Sequence, residues 1–192
     1  LAPIPMTPAY RHGAMTPWGG DGLQRLFQKP IPDARTGECL ELSAIPGLES
    51  RDPAGETLPA LVEKYGQRLT GTAISGPFPL LLKLLDARDT LSIQVHPNDE
   101  YAARVEHKLG KTEAWHILYA APGAELVYGV KAGITKEELT QASLSGAAVE
   151  GLLRRVQVKA GETYYIPAGM VHAIRGVDID LYKGETVAIV GE

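Results

Sequence analysis

From Leu91 to Asn98 polar and apolar residues alternate: Ser92, Gln94 and His96 fall between Leu91, Ile93 and Val95. Alternate side chains of a strand share one face, so the three polar residues are expected on a single surface. Glutamine and histidine are unusual choices for a solvated face. That face is therefore expected to look into a pocket. The same two-residue period runs over 38–45. Residues 80–87 are a continuous apolar run broken by Lys83, the pattern of a fully buried strand. Two readings of Lys83 stand: an edge residue whose stem reaches to water, or a pocket-facing cation that binds an anion.

Further short strands are expected at 113–119 and 124–130, joined by Ala121-Pro122-Gly123, and at 156–158, 163–166, 172–174, 179–182 and 186–190. Helical spacing is confined to 23–27, 57–65, 100–107 and 135–151. Thr57 with Pro59 predicts a capped helix start. Thr135 with Glu138 has capping-box spacing, and Leu139, Leu144, Val149, Leu152 and Leu153 are expected to supply apolar contacts. Many short strands separated by turn signals predict a mainly β fold, a sandwich or small barrel with a few short helices.

Composition narrows the function. The 192 residues suit one domain, and a net charge of −4 with no basic block argues against nucleic acid. No apolar run reaches membrane-spanning length, so no membrane partner is expected. The start, Leu1-Ala2-Pro3-Ile4-Pro5, has neither the charged nor the apolar part of a signal peptide and carries no initiator Met, so a trimmed or partial chain is expected. The single cysteine, Cys39, rules out an internal disulfide framework and fits a reducing, cytoplasmic setting. Cys39 itself reads as a packed small side chain.

The chemistry-bearing pattern starts at Gly161 and runs through Pro167-Ala168-Gly169 to His172. Pro167 and Gly169 impose a bend, after which His172 re-enters the sheet pointing inward. This spacing resembles the second cupin motif, with Gly176 where that motif usually ends in asparagine. Gln94-x-His96 lies where the first cupin motif offers His-x-His, and Glu113 can add a carboxylate. Taken singly, a strand histidine is usually a hydrogen-bonded structural residue and a lone glutamate a surface charge. Together, Gln94, His96, Glu113 and His172 make a mixed nitrogen and oxygen set that suits a borderline divalent ion such as Zn²⁺. Trp115 and His116 are candidates for a place near the site, though a buried core role is the better reading, and His12 and His107 read as structural or surface residues.

Three segments sharpen the resemblance: residues 91–99, Gly110-Lys111-Thr112-Glu113-Ala114-Trp115, and residues 165–173. With Trp18-Gly19-Gly20, Thr36-Gly37-Glu38 and the run 78–87, they resemble the type I mannose-6-phosphate isomerases, in the short bacterial form. That resemblance implies a cupin-type jelly roll and one zinc ion on Gln94, His96, Glu113 and His172. It also implies a sugar-phosphate pocket lined by Ser92, Lys83 and Lys111. The implied reaction interconverts mannose 6-phosphate and fructose 6-phosphate through an enediol. Lys111 and a metal-bound water are both candidates for the group that moves the proton.

Residues 1–176 are expected as the catalytic cupin domain and 177–192 as a divergent tail, with the family's second cupin-like domain absent. The family's inward arginine strand is not recognisable, because Arg175 is the only arginine after His172 and its position does not match. The tail around Lys183-Gly184-Glu185-Thr186 echoes Lys159-x-Gly161-Glu162-Thr163, as one more hairpin strand would. It also resembles the strand before a phosphate loop, without the Gly-Lys-Ser/Thr that a nucleotide site needs. Beside the zinc isomerase stand two rivals: a non-catalytic cupin that binds metal and sugar phosphate, and a different metal cupin such as an oxygenase. Gln94 in place of a first histidine argues against a redox iron site.

Overall fold

A computed structural model of the chain describes all residues except 75, 77, 146–148, 176–186 and 192, and only the backbone of 175 and 187–191. In chain order the elements begin β1 (Ala9–His12), α1 (Gly22–Phe27), β2 (Thr36–Leu42), α2 (Leu58–Tyr65), α3 (Gln67–Thr70), β3 (Leu80–Leu85) and β4 (Gln94–Val95). They continue with α4 (Asp99–Tyr101), β5 (Glu113–His116), β6 (Glu125–Val130), α5 (Lys136–Ser145) and α6 (Val149–Leu152). The last are β7 (Leu153–Gln157), β8 (Thr163–Ile166), β9 (Val171–Arg175) and β10 (Val187–Gly191). One sheet runs β1-β2-β3-β10-β5-β8 and the other β4-β9-β6-β7. Every pairing between these strands is antiparallel. This is a cupin-type jelly roll.

The strand period of two sorts side chains between three cores. Leu40, Leu81, Leu85, Trp115 and Ile166 of the first sheet meet Leu126 and Ile174 of the second in the interior. Each such side chain contributes about 1.5–3 kcal/mol by leaving water. On the outer face of the first sheet, Cys39 and Leu84 pack against Leu23 of α1. On the outer face of the second, Val127, Val171 and Ala173 lie under Leu139 of α5 and Val149 of α6.

The predicted helix starts form. Thr57 Oγ1 accepts from Ala60 N at 3.3 Å, with Pro59 in the first turn of α2. Thr135 and Glu138 make the reciprocal box: Thr135 N donates to Glu138 Oε2 at 2.8 Å, and Glu138 N donates to Thr135 Oγ1 at 3.2 Å. Near the N-terminus the backbone closes on itself. A Cβ on Gly19 would stand 2.4 Å from Gly37 N, so only glycine lets that loop lie against β2.

Several expectations change. Only Gln94 and Val95 of the 91–98 stretch join a ladder, at the edge of the second sheet. Leu91 reaches the core, while Ile93 and Val95 are 41% and 55% exposed. The helical turn or two expected over 100–107 does form, as α4 followed by one π-helical turn at Ala102–Glu106. In α5, Leu144 is exposed and supplies no core contact, while Leu153 is buried as the first residue of β7. The tail strand does not form a simple hairpin: β10 lies between β3 and β5, antiparallel to both. It thereby pairs two strands that would otherwise present open edges to each other. The expected strand at 179–182, and Gly176, lie outside the described residues.

Candidate functional site

Four interior-facing strands each carry a buried charged or ionisable residue two places from an apolar one. Glu38 lies two from Leu40 on β2, and Lys83 lies between Leu81 and Leu85 on β3. Glu113 lies two from Trp115 on β5, and His172 two from Ile174 on β9. All four polar residues are buried. The barrel interior is therefore apolar along part of its length and ionisable along the rest.

Register brings His172 into place. It sits opposite Gln94 of β4 on one side and Tyr128 of β6 on the other. Residues directly opposite in an antiparallel pair share a face, so Gln94 and His172 project the same way. The bend at Pro167–Gly169 acts as expected: Gly169, at φ +88°, donates its N–H to His96 O at 2.8 Å and ties the bend to the end of β4. A second tie supports the opposite wall. Gly110 N donates to Asp99 Oδ1 at 2.9 Å and Lys111 N to Pro97 O at 3.0 Å. A Cβ on Gly110 would stand 2.4 Å from Asp99 N, so glycine is what allows this approach.

His96, Glu113 and His172 converge, with their ligating atoms all within 4.8 Å of one another. Glu113 is the centre. Its Oε1 lies 3.2 Å from His96 Nε2 and 2.9 Å from Lys111 Nζ, and its Oε2 lies 3.3 Å from His172 Nε2. Trp115 Nε1 donates to the same Oε2 at 3.1 Å, and the Trp115 ring meets the His172 ring edge-on. Burial alone would raise the Glu113 pKa. Proton-bearing His172 and His96 imidazoles and the Lys111 ammonium would outweigh it and hold the carboxyl well below its usual range.

The His172 ring settles what the cluster wants. Its Nδ1 lies 2.9 Å from Met170 O, where it can only donate. In the neutral ring Nε2 then carries a lone pair, and it points at a carboxylate oxygen, another lone pair. That nitrogen is buried and has no hydrogen-bond partner. A cation between Nε2 and the carboxylate resolves the clash. The fixed Nδ1 tautomer and the Trp115 bond to Glu113 are the kind of outer support that metal ligands have. The three residues thus fit a divalent metal ion.

Four other expected residues take clear positions. Gln94 is exposed at the rim, and its Nε2 donates to Ser92 Oγ at 2.8 Å, so the two form one polar pair beside the cluster. Lys111 touches both Glu113 and His96, the latter at 3.3 Å. Lys83 is no edge residue. It is buried, its pKa lowered chiefly by desolvation, and it feels the charges of Lys111 and Glu113 nearby. Its Nζ donates to Glu38 Oε1 at 3.0 Å, and Arg11 Nη1 donates to Glu38 Oε2 at 3.0 Å.

Glu38 and Arg11 were not singled out by sequence reasoning. The signal existed, since the alternation at 38–45 puts Glu38 on the same face as Leu40. Trp115 is in the core as expected, with the added bond to Glu113. His116 bonds Thr163 at the surface, and His12 pairs with Asp33 there, away from the cluster. A separate apolar cavity of about 370 Å³, between Ile4, Met6, Leu42, Leu58 and Phe78, is lined by no ionisable side chain among the described residues and is not the site of this chemistry.

Known proteins carry the same arrangement of chain. A mannose-6-phosphate isomerase of Streptococcus mutans is 44% identical over 161 residues, covering 82% of this chain and 50% of that protein. The mannose-6-phosphate isomerase ManA of Bacillus subtilis is 46% identical over 162 residues, again 82% of this chain and 50% of that protein. The chain thus spans about half the length of these curated relatives. The crystal structure of a Bacillus subtilis mannose 6-phosphate isomerase superposes with a TM-score of 0.85 at 39% identity, covering 100% of this chain and 58% of that one. Residues 14–117 match the family described as phosphomannose isomerase type I, catalytic domain. The chain belongs to the type I phosphomannose isomerase family.

Proposed function

We propose that this chain forms the metal-dependent catalytic cupin domain, over residues 1–176, of an aldose–ketose isomerase that interconverts mannose 6-phosphate and fructose 6-phosphate. The observation that carries the reading is the convergence of His96, Glu113 and His172 on one buried point, with Lys111 at its edge, in a chain of this family. Gln94, His96, Glu113 and His172 are the proposed ligands. Their mixed nitrogen and oxygen donors favour Zn²⁺. When bound, the ion supplies Lewis-acid polarisation of the sugar's oxygens.

The side chains around it do the rest. Ser92 offers a hydroxyl to the sugar phosphate at the rim. Lys83 and Lys111 are cations that hold the phosphate as point charges. Lys111 is also the proposed proton-moving group, because its Nζ stands beside the ligand cluster. The buried lone thiol of Cys39 fits a reducing cytoplasmic setting.

The test is a coupled assay of mannose 6-phosphate turnover by this chain, before and after chelation and after zinc is returned. Turnover that is lost and regained supports the reading. A chain that holds metal and is stabilised by sugar phosphates, yet turns none over, replaces it with a non-catalytic binding cupin.

A further inference from the structure

We propose that Glu38 is a positioning residue that clamps the Lys83 ammonium in the barrel interior, where it serves as a phosphate-holding cation. The proposal rests on the sugar-phosphate reading above and adds to it the residue that makes Lys83 usable. Lys83 has a four-carbon stem with free rotors, so burial alone does not fix where its charge sits. Among the described residues, Glu38 is its only hydrogen-bond partner, at 3.0 Å. The β2–β3 ladder places Glu38 opposite Leu85 and Leu40 opposite Lys83, so the two charged residues are diagonal neighbours on the inner face. The second Glu38 oxygen is held by Arg11, which fixes the carboxylate's rotation. One ammonium N–H is thereby committed to Glu38, and the other two remain for an anion. Arg11 is partly exposed while Glu38 and Lys83 are buried, so the clamp is braced from the outer rim inward.

A purely structural Glu38 would only neutralise a buried charge. A positioning Glu38 sets how well sugar phosphate binds, and does so through Lys83. The experiment is a titration calorimetry cycle on the zinc-loaded chain, with mannose 6-phosphate and, as a probe of the phosphate alone, inorganic phosphate. E38Q is expected to weaken mannose 6-phosphate binding by ~10-fold, the scale of one charge-assisted hydrogen bond. K83M weakens it at least as much, and E38Q/K83M no more than K83M. Metal content stays at the wild-type level throughout. Additive losses from E38Q and K83M overturn the proposal.

If E38Q alone fails to fold, R11M serves instead. It leaves the Glu38–Lys83 bond and removes only the brace, so a smaller loss of binding that vanishes in the K83M background is expected. A second readout needs no substrate. Amine acylation followed by mass spectrometry should find Lys83 protected in the wild type and labelled several-fold faster in E38Q, against exposed Lys136 as reference. Unchanged Lys83 labelling in a folded E38Q overturns the clamp. No mannose 6-phosphate binding by the wild type overturns the sugar-phosphate reading instead, and the labelling still judges the clamp.

Discussion

His172 Nε2 faces Glu113 Oε2 across 3.3 Å with its other ring nitrogen already committed to the Met170 carbonyl. In the neutral ring two lone pairs then face each other in a buried site, a repulsive arrangement that a cation turns into an attractive one. Replacing His172 with asparagine should therefore cost more than the roughly 10–100-fold in metal affinity that follows loss of a ligand's supporting partner. Competition against a zinc chelator of known affinity measures it. Unaltered affinity in a folded H172N would remove His172 from the ligand set.

Metal removal should also be read in stability. An ion that binds only the folded chain adds about 2.7 kcal/mol when free metal is 100 times its dissociation constant. Chelation should lower the melting temperature, and stoichiometric zinc should restore it. The same pair of scans on E113Q should show little response. A wild-type melting temperature indifferent to chelator and zinc alike would count against the centre.

Trp115 is expected to act on the metal through Glu113. Phenylalanine keeps the edge-on contact with His172 but removes the N–H that donates to Glu113 Oε2. W115F should weaken metal binding by roughly 10–100-fold and cost about 1–3 kcal/mol from the buried acceptor left short of a donor. Denaturant titration and metal competition are run on the same preparation. A stability loss without any change in affinity would reduce Trp115 to packing alone.

Gly110 joins loop geometry to Lys111. A methyl there would collide with the backbone of Asn98 and Asp99, so the two loops must part. G110A is expected to destabilise by about 1–3 kcal/mol or more and, by shifting Lys111, to lower turnover further than the stability loss explains. If G110A folds with wild-type stability, the close approach is not needed in solution.

Cys39 gives stability a pH dependence. Burial, then the hydrogen bond to Glu41 and its charge, push the thiol from an ordinary 9.0 up to about 12. Between those values the unfolded chain loses the proton and the folded chain keeps it. The contribution is complete below pH 9 and is lost as pH rises toward 12, by up to roughly 1.4 kcal/mol per pH unit. Urea midpoints from pH 7 to 11 should fall more steeply for the wild type than for C39A. Equal slopes would show that the thiol does not titrate this way.

Some of this architecture was open to inspection in the chain. The caps at Thr57 and Thr135, the bend at Pro167–Gly169 and most strand positions follow from side chains acting on the backbone within a few residues. The same locality explains why His96, Glu113 and His172 stood out: each lies in a short segment with its own pattern. What these patterns left open also has local causes. Period two says that Ile93 and Val95 share a face, but says nothing of whether a layer covers it. At a sheet edge none of the described residues does, and both stay exposed. Helical spacing counted Leu144 as a contact, yet only the path of α5 over the second sheet decides which side chains turn inward.

By itself, then, the sequence determined where most strands lie and which family the chain resembles, and it marked His96, Glu113 and His172 as candidates, because these are properties of short, repeating patterns. The tertiary structure alone decided that Glu38 and Arg11 brace Lys83, that β10 lies between β3 and β5, and that His172 Nε2 meets Glu113 Oε2 at 3.3 Å. Those outcomes depend on register between strands far apart in the chain. A shift of one residue in any ladder would turn the same side chains to the opposite face.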